Sequence, residues 1–182
     1  MERILFLGLG YIGLPTAALA ASRGLEVVGV DVDPAIVGKV NRGEIHIVEP
    51  GLAEAVREAV SAGRLRASLE PVPGDVYVVV VPTPFKGNHE PDVSYVEAAT
   101  RSVVPLLKED DLFVIESTSP VGTTDRMARL IFAERPELEG KLSVAYCPER
   151  VLPGNVLYEL VHNDRVIGGI DDRSTRRAME FY

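Results

Sequence analysis

The chain has 182 residues, 46% of them apolar, which is enough to bury one core and form one domain. Its formal net charge of -8 argues against a nucleic-acid or anionic-membrane surface, because the long-range field repels phosphate. A single cysteine excludes an internal disulfide framework and suits a reducing compartment. No signal-peptide pattern precedes the first apolar run, and no stretch reaches the roughly 20 apolar residues that span a bilayer, so a cytoplasmic location is expected.

In chain order, short apolar runs alternate with helical patterns. Arg3–Leu7, Glu26–Val30, Asp75–Val81, Leu112–Ile115 and Leu142–Tyr146 are rich in Val, Ile or Leu, as strands buried on both faces should be. The alanine-rich stretch Ile12–Ser22 reads as a helix. Pro34–Asn41 is a second, with Asp33 as N-cap, Pro34 in the first turn and Gly43 as the stop. Leu52–Ala62 stops at Gly63, and Ser94 with Glu97 forms a capping box that opens a helix running to about Leu107. Thr123–Ala133 is a further helix, and Asp171 or Asp172 caps a last one that has run about two turns by Tyr182. The alternation predicts α/β architecture: a Rossmann-type doubly wound parallel sheet with helices on both faces.

Gly8, Gly10 and Gly13 stand at G-x-G-x-x-G spacing after the first strand and at the start of the first helix. The second strand ends at Asp31, about 20 residues on, which completes the dinucleotide fingerprint. Gly8 permits the tight turn, Gly10 removes a side chain that would block the pyrophosphate, and Gly13 lets helix and strand approach. Tyr11 and Ile12, at the helix start, join them as cofactor-binding positions because N–H groups there neutralise phosphate without lysine. Asp31 is expected to accept hydrogen bonds from the adenosine ribose hydroxyls, with Asp33 kept for helix capping. Two carboxylates and no adjacent arginine would repel a 2'-phosphate, so NAD rather than NADP is the expected cofactor.

Three further motifs, "VPTPF", "ESTSPVGTT" and "CPER", each follow a strand, where ligands of open parallel sheets bind. Taken singly they are ordinary: Pro82 and Pro84 would only stiffen a loop, and Ser117 with Thr118 would only cap the next helix. Together they outline one polar edge.

The segments "GLGYIGLP", "GVDVD", "NRGEIHIVEPGL", "VPTPFKGNHEPDVSYVEAA", "ESTSPVGTT" and "CPERVLPGNVLYELVHNDRVIGG" resemble the N-terminal domain of the UDP-glucose/GDP-mannose dehydrogenase family. "IHIVEP", "PTPFKGNHEPD" and "CPERVLPG" are most similar to its UDP-N-acetyl-D-mannosamine dehydrogenase branch. The resemblance implies oxidation of a sugar C6 alcohol to the uronate with two NAD, through a thioester on a cysteine. Thr118 then matches a threonine near the reacting carbon that helps hold a catalytic water and lies beside the cofactor. Glu149 matches a glutamate acting in acid/base work on that water. Pro82 and Thr83 match loop positions beside the cofactor.

Where the UDP-glucose enzymes carry a second glutamate four residues on, this chain has Pro153. The family's nucleophilic cysteine and its helpers fall beyond Tyr182. The resemblance therefore implies that residues 1–182 are the NAD-binding domain ending in the start of a further helix. The central helix and UDP-sugar domain are missing, and this portion alone is inactive. The full enzyme is expected to be a homo-oligomer acting on a UDP-sugar. Cys147 with Glu149 could be read as nucleophile and base, or Cys147 as a small buried hydrophobe, which is the preferred reading. His46, His89 and His162 show no ligand spacing, so no metal is expected. Two other functions fit the fingerprint alone: a β-hydroxyacid dehydrogenase, and a non-catalytic NAD-sensing module.

Overall fold

The structure, a computed structural model, describes residues 2–182. The first elements are β1 (Arg3–Leu7), α1 (Gly13–Ser22), β2 (Glu26–Val30), α2 (Pro34–Asn41), α3 (Leu52–Ser61), β3 (Leu65–Ser68) and β4 (Val76–Val79). A short hairpin of β5 (Phe85–Lys86) and β6 (Glu90–Pro91) leads to α4 (Ser94–Val103), β7 (Leu112–Ile115), α5 (Thr123–Glu134) and β8 (Ser143–Tyr146). The chain continues through α6 (Val156–His162), β9 (Gly168–Gly169) and α7 (Asp172–Phe181). These group into two compact units, Met1–Val72 with Arg150–Asp164, and Pro73–Glu149 with Arg165–Tyr182.

In the first unit three parallel strands lie in the order β3-β2-β1. Ile4, Leu5, Phe6, Val27 and Val28 are almost wholly buried, as the continuous apolar runs require. Helix α1 buries Gly13, Leu14, Pro15, Ala17, Ala18 and Ala21; the small side chains let it lie close to its neighbours. Leu9 is fully buried over Gly29, where an added Cβ would stand 2.4 Å from Leu9 Cδ2. Asp33 caps α2 as expected, its carboxylate accepting from Ala35 N at 2.8 Å. The run Leu65–Ser68 alternates buried and exposed residues, and it is a strand that the apolar pattern does not announce.

In the second unit β4, β7 and β8 are parallel, and β9 joins β8 antiparallel at the edge. Strand β4 is shorter than the apolar run Asp75–Val81, because Val81 N and O turn to the side chain of Ser117 instead of a neighbouring strand. The capping box expected at Ser94 and Glu97 is not formed. Ser94 is the first helical residue, its N–H is taken by Asp92 Oδ1 at 2.9 Å, and Glu97 instead binds Arg101 and Arg126. Hydrogen bonding to Ser94, with Lys86 beside it, holds the Asp92 carboxyl down at about 2. Helix α4 ends at Val103 and the 3₁₀ turn Val104–Leu106 completes the span expected to reach Leu107. Of the two candidate caps for α7, Asp171 is the one used, accepting from Ser174 N at 2.7 Å.

Candidate functional site

The glycine turn and Asp31 come together in the first unit. Gly8 leaves β1 with φ +104°, a conformation that costs a side-chain-bearing residue strain, and its N–H donates to Val30 O at 2.8 Å. Asp31 Oδ2 accepts from Leu9 N at 2.9 Å and Oδ1 from Asp33 N at 3.0 Å. The carboxylate is thus pinned at the end of β2 by two backbone donors, each using one lone pair. The others remain for ribose hydroxyls.

The geometry fits a dinucleotide. A Cβ built on Gly10 meets nothing within 4 Å, so the turn opens onto space that the missing side chain leaves to a ligand. Helix α1 begins after Ile12 with no side-chain cap and no acidic residue in its first turn, so phosphate meets no competing carboxylate there. Tyr11 is 39% exposed on the same turn, and Gly13 is buried as the first residue of α1. These residues would hold the pyrophosphate and adenosine ribose of the cofactor.

In the second unit three loops leave the carboxyl ends of parallel strands. Exposed Pro82 and half-buried Thr83 follow β4, exposed Thr118 follows β7, and half-buried Glu149 follows β8. Strands β7 and β8 run side by side with Ile115 opposite Tyr146, so Thr118 and Glu149 issue from adjacent strand ends. Ser117 does not cap a helix: its hydroxyl accepts from Val81 N at 2.9 Å and donates to Val81 O at 2.8 Å, stitching the loop after β4 to that after β7. Helix α5 starts instead from Gly122, at φ +88°.

Behind Thr118 and Glu149 lies a buried cluster that the sequence reading missed. Glu116 is 1% exposed; its Oε1 accepts from the Tyr182 hydroxyl, while Oε2 finds no hydrogen-bond partner among the described residues. Burial pushes its carboxyl up to about 6, with the nearby Glu149 charge adding to the rise and Arg165 opposing it. The Arg165 guanidinium lies 4.5 Å from the Tyr182 ring centroid and 3.9 Å from Cys147 Sγ. Cys147 is fully buried and burial pushes its thiol up, the opposite of what a nucleophile needs, so the preferred reading of it as a packed hydrophobe stands. Nothing local marks Glu116 and Tyr182 as partners, since 66 positions separate them.

Parallel strands flanked by helices, a glycine turn and an acid at the end of the second strand define a Rossmann-like dinucleotide-binding protein. Residues 2–182 match the UDP-glucose/GDP-mannose dehydrogenase family, NAD binding domain, and the chain belongs to that family, with NAD as its cofactor. It is 54% identical over 184 residues to the UDP-N-acetyl-D-mannosamine dehydrogenase of Escherichia coli K12, covering 97% of this chain and 44% of that protein. It is 53% identical to the NDP-N-acetyl-D-galactosaminuronic acid dehydrogenase of Ralstonia nicotianae, covering 96% of this chain and 43% of that one. The solved UDP-N-acetyl-mannosamine dehydrogenase of Staphylococcus aureus superposes with a TM-score of 0.95 at 38% identity, covering all of this chain and 45% of that one. The chain thus spans under half the length of the relatives it matches. Among the described residues no helix is long and apolar enough to cross a membrane.

Proposed function

We propose that residues 1–182 form the cofactor-binding part of an NAD-dependent UDP-sugar 6-dehydrogenase, acting on UDP-N-acetyl-D-mannosamine and yielding the corresponding uronate. The observation that carries this reading is the pairing of Thr118 and Glu149 at adjacent strand ends, in a chain whose family binds NAD. Bound NAD supplies a hydride acceptor. The residues of the chain supply the rest: the glycine turn and Asp31 seat the dinucleotide, while Thr118 and Glu149 orient one water and take its proton. An alcohol oxidised to an acid needs that water, because the second oxygen of the carboxylate comes from it. General acid/base help of this kind is usually worth on the order of 100- to 10,000-fold.

The same reading places the complete enzyme in the cytoplasm as a homo-oligomer, with the UDP-sugar held largely by residues outside this chain. It also makes the 182-residue chain alone inactive in turnover. A relative named for a galactosamine-derived product is 53% identical, within the 51–54% span of those named for mannosamine, and keeps the other UDP-N-acetylhexosamines as alternative substrates. The test is the longer protein that contains this chain, supplied with NAD and each UDP-sugar in turn. The expected result is two NADH per sugar with UDP-N-acetyl-D-mannosamine preferred. Absence of NADH with every UDP-sugar would overturn the reading. Glu149→Gln should slow acid formation by about 100-fold or more while leaving NAD affinity nearly unchanged. Loss of NAD binding or folding in proportion to activity would reduce Glu149 to a loop anchor.

A further inference from the structure

Residues 42–51 connect α2 to α3 and are gripped from two sides within the first unit. The Tyr11 hydroxyl, on the glycine turn, donates to Val48 O at 3.2 Å. The next residue, Glu49, is a carboxylate only 6% exposed. Its Oε2 accepts from Gly154 N at 2.9 Å and its Oε1 from Val156 N at 2.7 Å. Helix α6 has no side-chain cap of its own at Asn155, so Glu49 acts as its cap from 107 positions away.

The segment that Glu49 holds is closed on itself. Leu152 N donates to Glu159 Oε2 at 2.7 Å, and Asn163 Nδ2 donates to Arg150 O at 2.7 Å, so residues 150–163 form one looped body. That body begins immediately after Glu149. The other end of the connection is fixed by Gly51, which turns the chain at φ +76°, and by fully buried Leu52 at the start of α3. Charge-assisted bonds from a buried carboxylate to two backbone donors are the strong kind, and breaking them leaves unsatisfied groups on both sides.

We propose that Glu49 is a positioning residue that ties the 150–163 body to the connection held by Tyr11, so that dinucleotide binding at the glycine turn orders the segment following Glu149. Both Glu49 oxygens are engaged by backbone N–H groups, and it acts through them. The inference rests on NAD binding at the glycine turn and not on the dehydrogenase chemistry. Helix α6 also rests on α1, which offers a competing route for the same coupling.

Amide hydrogen exchange on the 182-residue chain, with and without NAD, separates these routes. At NAD near 100 times its dissociation constant, openings that release the ligand slow by up to about 100-fold. Protection of residues 8–13 reports that NAD has bound, so a failure of binding is recognised separately from a failure of coupling. The expected result in the unaltered chain is slower exchange at Gly154 and Val156 by about tenfold or more within that ceiling. Glu49→Gln should speed exchange at one of the two amides without NAD, and Glu49→Ala at both. Tyr11→Phe, compared at matched NAD occupancy, should keep the resting protection of both amides and lose the NAD-dependent gain. Unchanged exchange at Gly154 and Val156 while residues 8–13 become protected would overturn the proposal. So would full NAD-dependent protection in Tyr11→Phe, which would assign the coupling to α1.

Discussion

Replacing Glu116 by Gln should change how stability depends on pH, in a direction fixed by burial. The carboxyl is raised from its ordinary 4.5 to about 6 by loss of solvent, so between those values the folded protein holds a proton that the unfolded chain releases. The stability this group contributes is therefore complete below 4.5 and is lost as pH rises through 6. A shift of about 1.5 units corresponds to about 2 kcal/mol in full, of which a little over 1 kcal/mol develops between about pH 5 and pH 8. Gln keeps an oxygen for the Tyr182 hydroxyl and puts an amide where Oε2 already lacks a partner, so its own cost does not vary with pH. Asp111, also raised to about 6 by burial, sits at the opposite end of β7 and titrates in both proteins, so it cancels in the comparison. Urea unfolding of both proteins from about pH 5 to pH 8 should show the variant gaining a little over 1 kcal/mol on the parent, or about 3 °C in melting temperature. Parallel curves would refute the argument and mean that Glu116 is already ionised in the folded protein below about pH 5.

Asp31→Ala should weaken NAD binding by about 10- to 100-fold, the range of one charge-assisted hydrogen bond, and remove most of the discrimination against NADP; calorimetry with both cofactors checks it. Ser117→Ala strips Val81 N and O of their shared partner and should cost about 1–3 kcal/mol, read as a lower urea midpoint with unchanged slope.

The parts of the molecule legible in the sequence are those whose cause is local. Strands β1 and β2 are buried on both faces, so their apolar runs are unbroken, and the glycine spacing follows from one turn and one helix start. Strand β3 escaped because exposed Arg66 interrupts it, and β9 because two glycines carry no pattern. Helix α6 escaped for a different reason: it is seven residues long and its cap arrives from Glu49. The capping box at Ser94 failed because Asp92, two residues earlier, reaches the same N–H. In the candidate site, the strand-end placement of Asp31 and of the loops bearing Thr118 and Glu149 is legible in the apolar runs that precede them. Glu116, Ser117 and Glu49 act across tertiary contacts, and no spacing rule encodes those.

On this reading the glycine turn and Asp31 bind NAD through its pyrophosphate and unphosphorylated adenosine ribose. Isothermal titration of the unaltered 182-residue chain with NAD and with NADP tests it most directly. NAD should bind at least about tenfold tighter, a difference of about 1.4 kcal/mol, because a 2'-phosphate would face Asp31 and Asp33. Equal affinity for the two cofactors would contradict it.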